Sequence, residues 1–142
     1  MHVLIVEGDG GASREISGFL KFRGHVVDAA GGDIVARHLA QVAQYDAIIL
    51  DVMYPEMNGL VLCRQLREAG FNTTPILVIS VRDSLSDKIA CLDAGADEFL
   101  TIPLRQEDIE SRLQVLIRRN SREKGRMRPL VDQERIHSRK LD

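Results

Sequence analysis

Three acidic side chains stand just after short apolar runs: Glu7 and Asp9 after VLIV, and Asp51 after AIIL. A fourth run, ILVIS, ends in the hydroxyl of Ser80, and a fifth leads into Thr101, Ile102 and Pro103. Carboxylates gathered on one rim repel each other unless a cation sits among them, and a hard, oxygen-preferring ion such as Mg2+ suits them. Solvated loops are also rich in carboxylates, so spacing alone leaves a plain surface reading open beside the metal one. For the residues to meet, the runs before them must be strands of one sheet whose carboxyl ends share an edge, where open parallel α/β sheets bind ligands.

The rest of the chain supplies such a sheet. Strands are predicted at Val3–Val6, Val26–Ala29, Ala47–Leu50, Ile76–Ser80 and Glu98–Leu100, separated by stretches of helical period. That alternation is the pattern of βαβ units around a parallel sheet, and the unbroken apolar runs AIIL and ILVI predict strands covered on both faces. Helices are predicted at Ala12–Arg23, Asp33–Ala43, Leu60–Ala69, Ser84–Ala94 and Gln106–Arg119. Their inward residues are read as Ile16, Phe19 and Leu20 in the first, Ile34, Leu39 and Val42 in the second, and Ile109, Leu113, Leu116 and Ile117 in the fifth. Gly24, Gly70 and Gly95 are placed to stop three of them, and Asn58 to start one.

With 142 residues, 44% hydrophobic and 28% charged, the composition is that of one ordinary soluble domain and excludes collagenous, disordered or disulfide-scaffold classes. No run approaches a membrane span and the amino-terminal segment lacks a secretory pattern, so a cytoplasmic protein without membrane contact is expected. Cys63 and Cys91 have no metal-ligand spacing and read as buried thiols in a reducing compartment. The formal charge of −2 argues for no polyanionic partner, yet it hides an asymmetry. Residues 1–119 carry 12 basic and 17 acidic side chains, whereas 120–142 carry 7 and 4. The latter segment loses periodicity, includes Gly125 and Pro129, and reads as a polar, basic, flexible linker or tail after a domain of residues 1–119. It has too few apolar residues to form a helix-turn-helix, so no DNA-binding domain is expected within this chain.

The runs VLIVEGD, AIILDVMYPEMNGL, PILVIS and LDAGADEFLTIPL resemble the receiver domain of two-component response regulators, most closely the OmpR/PhoB subfamily, over residues 2–119. The resemblance implies a CheY-like, flavodoxin-like doubly wound sheet of order 2-1-3-4-5. It also implies that the protein is a phosphoacceptor rather than an enzyme, and that Asp51 receives a phosphoryl group from a sensor histidine kinase. Mg2+ would be held by Glu7, Asp51 and the Met53 carbonyl, with Ser80 and Phe99 as switch residues and Pro103 in the place of a proline that forms a cis bond. Two positions depart from the pattern: Gly8 stands where a second acidic ligand is expected and Ile102 where a lysine is expected. Asp9, one residue late, is the available substitute. Because phosphoryl transfer at such a site rests on positioning and charge neutralisation, weakened Mg2+ binding and weak or absent phosphorylation of Asp51 are expected.

In the subfamily, helix four, strand five and helix five form a symmetric dimer face. Lys88, Asp97, Glu98, Asp108, Arg112 and Arg119 match its charged positions, which implies a homodimer with pairs Lys88–Asp108, Glu98–Arg112 and Asp97–Arg119 across the two-fold axis. Transcriptional output would use a winged-helix DNA-binding domain outside this chain. Two other readings stand beside this one. A receiver fold kept purely for dimerisation or docking would show no phosphate dependence. A dinucleotide site would use Gly8, Gly10 and Ser13 as a degenerate glycine fingerprint with Asp28 as the ribose acid.

Overall fold

The computed structural model describes residues 1–7, 11–52, 59–70 and 73–135, with Gly59 and those from 123 onward as backbone only. Five strands, β1 (His2–Val6), β2 (Val26–Ala30), β3 (Ala47–Asp51), β4 (Ile76–Ser80) and β5 (Glu98–Thr101), form one parallel sheet of order β2-β1-β3-β4-β5. Between them lie α1 (Ala12–Phe22), α2 (Asp33–Val42), α3 (Gly59–Glu68) and α4 (Leu85–Asp93), and α5 (Gln106–Arg135) follows β5.

The strand residues divide by parity, as a pleated sheet requires. Leu4, Val6, Ile48, Leu50, Ile76 and Val78 face a core closed by α2, α3 and α4. Val3, Ile5, Ala47, Ile49, Leu77 and Ile79 face a second core, where Ile16 and Leu20 of α1 meet Ile109, Leu113 and Leu116 of α5. Both faces are therefore covered, and β3 and β4 are buried along their whole length, as their unbroken apolar runs foretold.

Two expectations need correction. On α2, Ile34 and Val42 face solvent, 72% and 64% exposed, while Ala36 and Ala40 are buried and Leu39 packs at the margin. The two alanines let the helix backbone lie close to the sheet, so closeness of approach, not side-chain size, chose the inward face. The fifth helix does not stop at Arg119 but continues through Gly125 and Pro129 to Arg135. Arginine, glutamate, lysine and methionine are strong helix formers and carry the helix past Arg119, against a cost of about 1 kcal/mol for the interior glycine and about 3 kcal/mol for the proline. The other helices keep their predicted places: Gly24, Gly70 and Gly95 all adopt positive φ beyond α1, α3 and α4, and Ser84 caps α4 by accepting from the Asp87 amide at 3.3 Å.

Candidate functional site

Strand pairing brings the sequence-predicted residues to one edge. Val6 is opposite Leu50, Asp51 opposite Ile79 and Ser80 opposite Thr101, so Glu7, Asp51, Ser80 and Thr101 all lie at or just past the carboxyl ends of neighbouring strands. Asp51 is almost fully buried as the last residue of β3, and Ser80 is similarly enclosed at the end of β4. Glu7 is half-buried, and its amide donates to the Ala30 carbonyl at 2.8 Å, which ties the end of β1 to β2. Two carboxylates on adjacent strand ends are hard oxygen donors of the kind a divalent cation takes. Among the described residues no group of three His, Cys, Asp or Glu side chains could hold a metal. Gly8, Asp9, Gly10, Met53 and Asn58 lie outside the described residues.

The β4–α4 loop is tied to the edge by polar contacts. Ser80 Oγ accepts from the Arg82 amide at 3.0 Å, and its carbonyl accepts from the Ile102 amide at 2.8 Å. Thr101 Oγ1 donates to Asp83 Oδ1 at 3.3 Å, and Lys88 Nζ lies 2.7 Å from the same oxygen. The hydrogen bond and charge of Lys88 hold the exposed Asp83 carboxyl below its ordinary range. Ile102, at the position where the resemblance implies lysine, is buried in the α1–α5 core, and its peptide bond to Pro103 is cis. Phe99 is half-buried against the opposite core.

Five of the six charged residues read as a dimer face on α4, β5 and α5 have partners within the single chain. Lys88 pairs with Asp83, Asp108 with Arg105 at 3.3 Å, and Glu98 with Arg112 at 3.1 Å. Asp97 is held differently: its Oδ2 accepts from the Ile76 amide at 2.8 Å and from Arg67 Nη2 at 2.9 Å. Arg119 is exposed. Beside these groups Leu85, Ile89 and Leu92 of α4 and Leu104 present apolar surface to solvent.

Arg67 was not singled out by sequence reasoning, and its contacts explain why. Its Nε and Nη2 donate to the Gly95 carbonyl at 3.0 and 2.8 Å and its Nη1 to the Thr74 carbonyl at 2.7 Å, and these are backbone partners that no charge pattern reveals. Glu110 was missed as well. It is a buried carboxylate on α5, accepting from His25 Nε2 at 2.8 Å and Arg23 Nε at 3.2 Å. Asp28, the ribose acid of the dinucleotide reading, accepts from Tyr45 Oη at 2.7 Å and lies 3.1 Å from His2 Nε2, and these two hydrogen bonds lower its pKa. Its carboxylate is thus hydrogen-bonded within the chain while its side chain stays partly exposed, and Ser13 is buried in α1.

Comparison with known proteins agrees with this architecture. Residues 3–114 match the response regulator receiver domain family. The response regulator MprA of Mycobacterium sp. (strain KMS) is 39% identical over 125 residues, 88% of this chain and 54% of that protein. MprA of Mycobacterium leprae is 40% identical over 119 residues, 84% of this chain and 52% of that protein. The chain thus spans about half the length of these curated relatives. Among solved structures, the receiver domain of the Francisella response regulator 1452 superimposes with a TM-score of 0.74 at 30% identity, covering 83% of this chain and 97% of that one. The receiver domain of the sensor histidine kinase PA1611 from Pseudomonas aeruginosa, solved with a magnesium ion in its active-site cleft, gives 0.73 at 26%, covering 82% and 96%. With the 2-1-3-4-5 parallel sheet and a buried aspartate closing its central strand, these matches show that the chain belongs to the receiver domain family of two-component response regulators.

Proposed function

We propose that Asp51 is the phosphoacceptor of an OmpR/PhoB-like receiver, that its phosphorylation is weak, and that output runs through a homodimer formed on α4, β5 and α5. The observation that carries this reading is the buried Asp51 at the end of β3, one strand from Glu7 and one strand from Ser80. A carboxylate oxygen of Asp51 attacks the phosphorus of a phosphohistidine on a sensor kinase. The P–N bond breaks and the imidazole leaves, taking up a proton. Glu7, Asp51, Asp9 and the Met53 carbonyl would hold Mg2+, which when bound neutralises phosphoryl charge. Ser80 places its hydroxyl at the same edge. Gly8 withholds one anionic ligand and Ile102 one cation, and losing a single electrostatic contact of this kind costs roughly 100-fold in rate. The protein is read as cytoplasmic and not itself an enzyme; among the described residues no helix is long and apolar enough to cross a membrane. DNA is contacted specifically through a domain outside this chain.

Intact mass spectrometry after incubation with acetyl phosphate and Mg2+ tests the first part. A slowly formed phosphoryl adduct that disappears with Asp51→Asn and with EDTA is expected. Absence of any adduct would favour the second reading, phosphorylation-independent dimerisation or docking, which the core packing of Ile102 in place of a charged site residue supports.

The dimer face has its own test. Exposed pairs contribute about 0–1 kcal/mol each and set register more than they drive association. In the single chain Arg112 already meets Glu98, so a dimer exchanges this partner rather than creating a new charge contact. Arg112→Glu places like charges together in both arrangements, and the dimer dissociation constant is expected to rise about 10-fold, equivalent to about 1.4 kcal/mol. Sedimentation showing unchanged self-association would remove the assignment of this face.

A further inference from the structure

The charge asymmetry of the chain acquires a shape once α5 is seen to continue beyond the core. Among the residues of that helix whose side chains are described, Leu116 is the last buried one, and residues 118–128, RRNSREKGRMR, hold six basic side chains and one acidic one. Residues 1–117 hold 10 basic and 17 acidic side chains, so the basic segment belongs to an otherwise acidic protein. At about 100° per residue, positions 118, 119, 122 and 126 fall within roughly one quadrant of the helix, and all four are arginine. Arg118, Arg119 and Arg122 are exposed, and none of these three has an ion-pair partner among the described residues.

We infer that this arginine stripe on α5 is a docking surface for the phosphate backbone of double-stranded DNA, engaged without base specificity. Eight residues of helix rise about 12 Å. Along that length of duplex axis one strand presents about three to four phosphates, which four arginine positions match in number, and a guanidinium fork is the group that suits phosphate oxygens. An anionic membrane fits less well. A helix lying on a bilayer needs a broad apolar face with large side chains, and residues 118–135 offer Met127, Leu130 and Val131 with no aromatic residue. The apolar stripe of Ile109, Leu113 and Leu116 is already used in the core. The acidic remainder of the domain repels polyanions, so contact is confined to the stripe and the domain is held off the duplex.

Fluorescence anisotropy of a labelled mixed-sequence duplex of about 20 base pairs, titrated with the whole 142-residue chain at about 50 mM salt, tests this. Micromolar binding is expected, weakening about 100-fold at about 200 mM as roughly four phosphate contacts release their counterions. The triple variant Arg118→Ala, Arg122→Ala, Arg126→Ala should bind at least 10-fold more weakly, with the slope of log K against log salt shallower by about 2 to 3. Alanine preserves helix propensity. Arg119 is retained so that the proposed dimer face stays intact, and a failure of that reading leaves this comparison unaffected. The inference is overturned if the parent chain does not bind the duplex at low salt, or if the triple variant keeps the parent's affinity and slope. Phosphatidylserine vesicles capturing the parent chain when the duplex does not would also overturn it.

Discussion

Gly95→Ala is expected to destabilise the protein by about 3 kcal/mol and to lower the melting temperature by roughly 6–12 °C. Two effects add. Gly95 closes α4 with φ +118, a conformation that costs a side-chain-bearing residue about 1–2 kcal/mol. A Cβ there would also stand 2.9 Å from Arg67 Cγ, so the arginine must shift away from the carbonyls of Gly95 and Thr74 and from Asp97. Loosening partly buried, charge-assisted hydrogen bonds adds about 1–3 kcal/mol. Gly24→Ala is the internal control. Gly24 has φ +93, but nothing lies within 4 Å of its added Cβ, so only the backbone cost of about 1 kcal/mol applies. Thermal melts of the two variants should separate clearly. Equal losses would mean that Arg67 yields without cost and does not brace α3 against the turn before β5.

The same residues show what was legible in the sequence. The strands were, because β3 and β4 are covered on both faces and therefore read as unbroken apolar runs. The site edge was as well: each of Glu7, Asp51, Ser80 and Thr101 sits at or just past a strand end, and parallel pairing in register leaves them little choice but to align. The inward face of α2 was not legible from hydrophobicity, since Ile34 and Val42 outrank Ala36 and Ala40 on any apolar scale while the alanines alone permit close approach. Charge partners were legible as charges but not as pairs. Asp97 was read as a dimer-face group, yet within the chain its carboxylate braces the β4 amide of Ile76 and meets Arg67, a helix away. Such contacts depend on where α3 lies against the sheet, which no short spacing encodes.

Ile102 illustrates the opposite case, in which one residue type carried enough information. An isoleucine is an ordinary core residue, and the one after β5 joins Ile109 and Leu113 in the core between α1 and α5. Its amide still bonds the Ser80 carbonyl, so the backbone course past the end of β4 is kept while the side chain contributes no charge to the edge. The fold therefore accommodates an apolar side chain at this position.

Glu110→Gln should destabilise the protein by about 2 kcal/mol at pH 7 and by much less near pH 3, where unfolding is followed by denaturant titration at both values. Burial on α5 alone would push this carboxyl up, but the His25 and Arg23 hydrogen bonds outweigh it and hold the group below its ordinary value of 4.5. A carboxyl whose folded pKa is depressed contributes stability above its unfolded value and loses it as pH falls through the folded one. The parent should therefore lose its advantage over the variant below about pH 4.5. A glutamine keeps the shape and an acceptor oxygen, so the difference between the two proteins isolates the charge. A gap of equal size at both pH values would show that packing, not the carboxylate, is what the site supplies. The contact also bears on the proposed dimer face, because Glu110 lies between Asp108 and Arg112 in the chain and anchors α5 to the α1–β2 turn. That anchor fixes the rotation of the helix that presents both charged residues, so the same variant should also weaken any dimer built on them.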